Sequence, residues 1–291
     1  MAKKMLLSRY WAIICRLFPT KVYLRWQYWH IYHRRLNINH PKTYAEKLAY
    51  LKTHYKNPLL SKLCDKYEVR DYVKNVIGED YLVPLYGIYN SVESIEWDKI
   101  PEAFVLKCTH DSGSVVLHKK NDLLDKDSIS SFLSKKMKRN LFWYSREYPY
   151  KTIKPRIICE KLLEDKGKIP NDYKILCFNG KPKFVVLDMD RHTNHHRDIY
   201  DLEWNKLDCT TDHPQGVGIA PKPKTLEKMI ELATKLSVGF DHVRIDFYTI
   251  GNKVYFGEMT FFPWGGPIWF EPEKWNYFFG DLIKLQYDSN K

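Results

Sequence analysis

The chain has 291 residues, 44% hydrophobic and 28% charged. This is a globular composition that excludes a disordered or collagen-like chain, and it is long enough for a core without disulfide or metal staples. The formal charge is +12, but residues 1–45 hold nine Lys or Arg and no acid before Glu46, so the remainder carries only 12 − 9 = +3. A basic head on a nearly neutral body is not the charge layout of a general nucleic-acid binder, and no nucleic acid is expected as partner.

The start, MAKKMLLSRYWAIICRLF, imitates a signal peptide, yet Arg9 and Arg16 break its apolar run and no small-residue cleavage site follows. No stretch reaches the 18 apolar residues of a membrane-spanning helix. The six cysteines (15, 64, 108, 159, 177 and 209) contain no C-x-x-C pair. They are expected to be reduced thiols in the cytoplasm. Residues 5–18 place Leu6, Tyr10, Ile13, Ile14 and Leu17 on one helix face, and KVYLRWQYWHIYHRR (21–35) continues with Trp, Tyr and Arg side by side. Two readings stand for this head over residues 1–40. It is a foot on an anionic cytoplasmic membrane surface, or a pair of helices packed on the body with cations facing water.

Residues 43–57 predict a helix with Thr43 as N-cap and Glu46 closing a capping box. Residues 65–77 predict another, ended by Gly78, and short strands follow at 82–88 and 104–107. A boundary falls near residue 100, which divides the chain into a 1–40 extension, a helical 41–100 region and a 101–291 body. In the body, FVLK (104–107) ends in Lys107 and runs into the small-residue loop CTHDSGS (108–114), then the strand VVLHK. Such a loop can bend over an anion, with Gly113 allowing close backbone approach; it can equally be an ordinary hairpin. It is not a Walker A loop.

PRIICEKLLED (155–165) reads as a strand running into Glu160, Lys161, Leu162 and Leu163. DYKILCFNGKPKFVVLDMD (172–190) reads as two strands around an Asn179-Gly180 turn, with Lys174 on the first. HVRIDFYTIGNKVYFGEMTFFPWGG (242–266) reads as a second hairpin turning at Gly251-Asn252. Period two puts Arg244 and Asp246 on one face of its first strand, and Glu258 and Thr260 on one face of its second. Two facing carboxylates with a further oxygen beside an arginine suit Mg²⁺; a solvated sheet face with an Arg–Asp pair is the plain alternative. The PWGG that follows can close a loop around a ligand.

In order and spacing, VLKCTHDSGS, IICEKLL, DYKILCFNGKPK, YDLEWN, VRIDFY and YFGEMTFFPWGG resemble the ATP-grasp superfamily, in particular its TupA-like branch of teichuronopeptide biosynthesis, over about residues 40–285. The resemblance implies an α/β ATP-grasp fold of two α+β lobes, here preceded by the basic helical extension. It implies ATP and Mg²⁺ as cofactors. Lys107 and Lys174 would hold ATP phosphates under the 111–114 loop with Ser112, Gly113 and Ser114. Glu160 through Leu163 would form the adenine hinge, chiefly through backbone groups of Lys161 and Leu163. Asp246 and Glu258 would bind Mg²⁺, with Thr260 where the family usually has Asn, and Arg244 would neutralise the transferred phosphoryl group. The implied activity is carboxylate–amine ligation through an acyl phosphate, in cell-surface polysaccharide or teichuronopeptide-type polymer assembly. The substrate would be a small molecule or a lipid-linked glycan or amino acid.

Other residues suggest other chemistry. Asp188-Met189-Asp190 forms the D-x-D that holds a divalent ion in many glycosyltransferases, and chains of this branch are often labelled so. His192, His195 and His196 tempt a zinc assignment but lack the spacing of a zinc site and read better as a polar loop. Trp264, Trp269 and Phe270 suit a sugar ring or plain packing. A purely binding protein, held to RNA or lipid by its head, would leave Asp246, Glu258 and the two lysines without a purpose.

Overall fold

The computed structural model describes residues 16–191, 193–266 and 268–285. Most of the helix expected over 5–18 lies outside them, as does Cys15. The other five cysteines are unpaired and buried. Among the described residues no helix is long and apolar enough to cross a membrane.

Two antiparallel sheets carry the body. β1 (Leu85–Tyr89), β2 (Phe104–Cys108), β3 (Val115–His118) and β4 (Ile157–Lys161) form one, in the order β1-β4-β2-β3. β5 (Asp172–Phe178), β6 (Lys181–Met189), β7 (His196–Asp201), β8 (His242–Ile250) and β9 (Lys253–Thr260) form the other, in the order β7-β6-β5-β8-β9. Both expected hairpins form. Phe178 pairs with Lys181 across Asn179-Gly180, whose φ angles of 50° and 74° are those the two-residue turn needs. Ile250 pairs with Lys253 across the second turn. The latter ladder slips by one residue between Asp246 and Phe247, leaving Gly257 as a bulge.

The helices are α1 (Thr20–Tyr32), α2 (Tyr44–His54), α3 (Leu59–Cys64), α4 (Val69–Val76), α5 (Lys126–Met137), α6 (Phe142–Ser145), α7 (Leu226–Leu236) and α8 (Lys274–Leu282). The Thr43 capping box is present: the Thr43 hydroxyl accepts from the Glu46 N–H, and the Glu46 carboxylate accepts from the N–H of Thr43 at 3.0 Å. The helix expected from residue 65 starts only at Val69. Asp65 instead accepts from the N–H groups of Tyr67 and Glu68 at 2.8 and 3.0 Å, a local turn that competes with helix. The strand expected from residue 82 starts at Leu85, because Pro84 has no N–H for a ladder and Leu82 bridges to Phe256 of β9 instead.

Three apolar clusters hold these elements. The largest lies between the five-stranded sheet and α7, whose Leu226, Met229, Leu232, Ala233 and Leu236 recur at helical spacing. A second sits under the four-stranded sheet with Leu133 of α5. The third joins Leu24 and Tyr28 of α1 to Ala45 and Ala49 of α2. Thus α1 packs on the body, and Tyr32 further donates to the Ile268 carbonyl. α8 crosses the start of α2 at Gly280, where a Cβ would lie 2.4 Å from the Lys42 carbonyl oxygen, so only glycine fits.

Candidate active site

Alternation gives the five-stranded sheet two unlike faces. Ile175, Val185, Leu187, Ile245 and Phe247 point to the apolar cluster. The opposite face is polar. Its register sets Lys174 opposite Asp246 and Asp246 opposite Glu258, a continuous row across β5, β8 and β9. The neighbouring row sets Arg197 opposite Asp188, Asp188 opposite Asp172, and Asp172 opposite Tyr248.

These side chains form one ion-pair network. Lys174 Nζ lies 2.7 Å from Asp172, 3.0 Å from Asp246 and 3.5 Å from Asp188. Arg244 grips Asp246 with two bonds of 2.7 and 2.8 Å, and donates to Glu258 at 2.8 Å and to Thr260 at 3.3 Å. Arg197 joins Asp188 at 2.5 Å to Asp212, and Arg191 reaches Asp172 at 2.7 Å. Asp172, Lys174, Asp188 and Asp246 are buried, so each charge depends on its partners. The Glu258 side chain is 40% exposed, so the network reaches solvent there, as it does at Arg191 and Asp212.

The titration directions follow from this crowding. Burial pushes the Glu258 carboxyl up, but Arg244, then Lys66 and Lys174, outweigh it and hold it at about 2. Burial wins at Asp246, which is raised despite Arg244 and Lys174. The Lys174 ammonium is raised because Asp172 and Asp246 overcome its burial. Asp172, then burial, then Glu258 and Asp246 raise the Tyr248 phenol well above its ordinary value.

Lys107 and Glu160 stand on the other sheet. Glu160 is buried and takes Lys107 Nζ at 2.6 Å and Arg70 Nη1 at 3.1 Å. Among the described residues no hydrogen bond or ion pair joins this group directly to the Lys174 network. The link is the segment before and within α4. Lys66 donates its N–H to the Thr109 carbonyl and its ammonium to the Asp111 carbonyl at 2.5 Å, while its charge also acts on Glu258. Arg156 pairs with Asp65 and Glu68 from the same segment. The 108–114 loop is thus tied to Lys66, a cation near enough to act on Glu258. Thr109 Oγ1, Asp111 Oδ2, Ser114 Oγ and, on β5, Asp172 Oδ1 are buried without a hydrogen-bond partner, which is the signature of groups that meet a polar ligand.

The residues fit the cofactors that the sequence implies. Asp246 and Glu258 are hard oxygen donors side by side, with the Thr260 hydroxyl 3.1 Å from Glu258, and phosphate oxygens would complete a Mg²⁺ shell. Lys66 and Lys107 supply positive charge around the glycine loop. The Lys161 N–H is donated to the Pro84 carbonyl at 2.9 Å, so a hinge there can offer only the Lys161 carbonyl beside groups of Leu163.

Other expected residues fall elsewhere. Asp188 is buried in the network, whereas Asp190 is exposed in the turn after β6, so the D-x-D pair does not converge. His192 lies outside the described residues. His195 sits 3.1 Å from Asp188 with its ring 3.7 Å from that of His213, while His196 pairs with Met189. Among the described residues no three His, Cys, Asp or Glu side chains gather as a metal cage. Trp264 and Phe270 pack on Tyr44, and only Trp269 is exposed. Sequence reading missed Lys66, Arg70 and Asp172. Asp172 alone had a signal, lying two residues before Lys174 on the same strand.

A buried pair completes the site. Lys52 of α2 donates to the Ser145 carbonyl at 2.6 Å and to the Gly265 carbonyl, tying down the PWGG loop. Glu147 lies beside it. Burial lifts the Glu147 carboxyl to about 7 against the pull of Lys52, and lowers the Lys52 ammonium to about 8.

No curated protein matches the chain. Among solved structures, D-alanine–D-alanine ligase from Bacillus anthracis complexed with ATP is 16% identical, with 77% of this chain and 64% of that one covered and a TM-score of 0.43. An ADP complex of purK, N5-carboxyaminoimidazole ribonucleotide synthetase, is 14% identical, with 77% and 52% covered and a TM-score of 0.42. The ATP-grasp ligase PsnB with minimal precursor, Mg and ADP is 12% identical, with 74% and 56% covered and a TM-score of 0.38. The chain thus spans between 52% and 64% of the length of these proteins. The TupA-like ATP-grasp family model matches residues 46–284, from the capping-box glutamate of α2 to just beyond α8, and the chain belongs to that family.

Proposed function

We propose that the chain is an ATP- and Mg²⁺-dependent carboxylate–amine ligase that acts in cell-surface polysaccharide or teichuronopeptide-type polymer synthesis. The observation that carries this reading is the row Lys174–Asp246–Glu258 with Arg244 bonded to both carboxylates, on the polar face of the five-stranded sheet. When bound, ATP with Mg²⁺ supplies the phosphoryl group that activates an acceptor carboxylate for attack by an amine. The chain's own residues do the rest by position and charge, which is most of what phosphoryl transfer asks of a protein.

In this reading Lys107 and Lys66 face the phosphates from the loop side. Asp246, Glu258 and Thr260 hold the cation. Arg244, fixed by two carboxylates, presents positive charge where negative charge builds up. Lys174, boxed by three carboxylates, keeps that face neutral enough to stay folded, and reaches a phosphate only if those pairs loosen. Residues 101–291 form the catalytic lobes, 41–100 supply Lys66 and Arg70, and 1–40 are an extension. The family's teichuronopeptide link supports a uronic acid or amino acid carboxylate, free or lipid-linked, and a place at the inner face of the plasma membrane. Glycosyl transfer through Asp188 and Asp190 would need both to reach one cation, and Asp188 is committed to Arg197 and Lys174.

The test is a nucleotide panel in thermal unfolding. ATP with Mg²⁺ is expected to stabilise the protein, and to do so poorly with EDTA. Stabilisation by a UDP-sugar and not by ATP would sink the ligase. Phosphate release with uronic and amino acid carboxylates, paired with amines, then sorts the substrates.

A further inference from the structure

We infer that the outer face of α1 is a docking surface for an anionic lipid bilayer. The inference concerns where the enzyme sits and stands apart from the ligase reading. α1 has two sides. Leu24 and Tyr28 are buried against α2. At 100° per residue, Val22, Trp26 and Trp29 fall together on the opposite side. They are 44%, 42% and 53% exposed, and Phe18, just before the helix, is 47% exposed. Large apolar side chains grouped on one face with this much exposed surface suit an apolar surrounding.

The charges around that face choose the partner. Lys21, Arg25, His30 and His33 are exposed along it or at its margins. Among the described residues no carboxylate pairs with Lys21, Arg25 or Arg35; of the cations on this segment, Arg34 is the one held, by Glu273. Residues 1–45 contain no acid at all. Tryptophans that sink into the headgroup layer beside cations that meet lipid phosphates are what a membrane-surface helix needs. A second copy of this chain is a poor fit, since a two-fold contact through this face would gather the cations of both copies with no acid from residues 1–45 to meet them.

The test uses the full chain and vesicle sedimentation. Phosphatidylcholine vesicles with phosphatidylglycerol are expected to pellet the protein, phosphatidylcholine alone to leave it in solution, and high salt to release it. Lys21→Ala with Arg25→Ala should weaken vesicle binding about thirtyfold, from about 1 kcal/mol per cation. Trp29→Glu should weaken it at least as much. Both variants should unfold at the wild-type temperature and keep the response to ATP with Mg²⁺. The inference is overturned if anionic and neutral vesicles bind alike or not at all. It is also overturned if the variants bind vesicles as the wild type does, or if the face proves to mediate dimerisation or RNA binding instead. Failure here with intact ATP binding would leave the ligase reading standing.

Discussion

On the five-stranded sheet, Asp172, Lys174, Asp188, Arg197, Arg244, Asp246 and Glu258 each touch at least two partners within one buried network. On the four-stranded sheet, Lys107 and Arg70 converge on a single carboxylate, Glu160. The first arrangement fixes geometry at the expense of tolerance, because each buried charge is compensated only while its neighbours remain. The second is local: loss of one cation there touches Glu160 alone, whereas loss of Lys174 touches three carboxylates. In the proposed reading, the charges that hold a metal and a phosphoryl group are thus set in a rigid lattice, while those that meet the phosphates from the loop side are few.

Substitutions of one kind on each sheet sharpen this contrast. Lys174→Met should cost about 3–5 kcal/mol of stability, measured by urea unfolding, because Asp172, Asp188 and Asp246 would each lose a buried partner at once and keep only one arginine apiece. A loss below about 1 kcal/mol would break the idea of a cooperative lattice. A second measure is pH. Burial lowers His242 to about 4, while its Nδ1 donates to the Cys177 carbonyl at 2.8 Å and its Nε2 accepts from Tyr44 at 2.8 Å. The folded protein keeps this ring neutral, whereas the unfolded chain binds a proton below about 6.5. Stability should therefore fall as pH drops from about 6.5 to 4, by about 3 kcal/mol from this group. His242→Gln should remove that slope relative to the wild type.

Lys107→Met should act the other way round from Lys174→Met. It should cost only about 1 kcal/mol of stability, with Arg70 still on Glu160, yet reduce ATP turnover about 10²–10³-fold. Near-normal turnover would remove Lys107 from the site. The smallest effect is expected far from both networks. Thr43→Ala should cost about 1 kcal/mol through the lost cap, with no change in the response to ATP.

Much of this was legible in residue order. Asn179-Gly180 and Gly251-Asn252 announce their hairpins because positive φ is needed there. Thr43 and Glu46 announce a helix start because their side chains satisfy its free N–H groups. Alternation on β8 and β9 brings out Arg244, Asp246, Glu258 and Thr260. Lys66 and Arg70 were not legible, since only the docking of their segment between the sheets gives them a role. α3 and α7 passed unread: six residues are too few to show a period in α3, whereas α7 does carry one, at Leu226, Met229, Leu232, Ala233 and Leu236. A strict count across the second turn even sets Glu258 opposite Ile245, on the apolar face. The bulge at Gly257 corrects it, and a glycine inside a strand pattern is the trace it leaves in the sequence.

That glycine makes β9, Lys253–Thr260, one residue longer than the stretch of β8 it pairs with, Arg244–Ile250. A Cβ there would come within 3.1 Å of the Asp246 carbonyl oxygen and 3.2 Å of the Tyr248 ring, so Gly257→Ala should be felt at once. Deleting the residue altogether would be gentler, since the strand would then run in step with β8 and every facing pair would survive. Shortening the chain here would ask what the surplus residue contributes besides spacing. A variant that still folds but handles nucleotide poorly would assign it the local curvature of the strand, the one property the deletion erases.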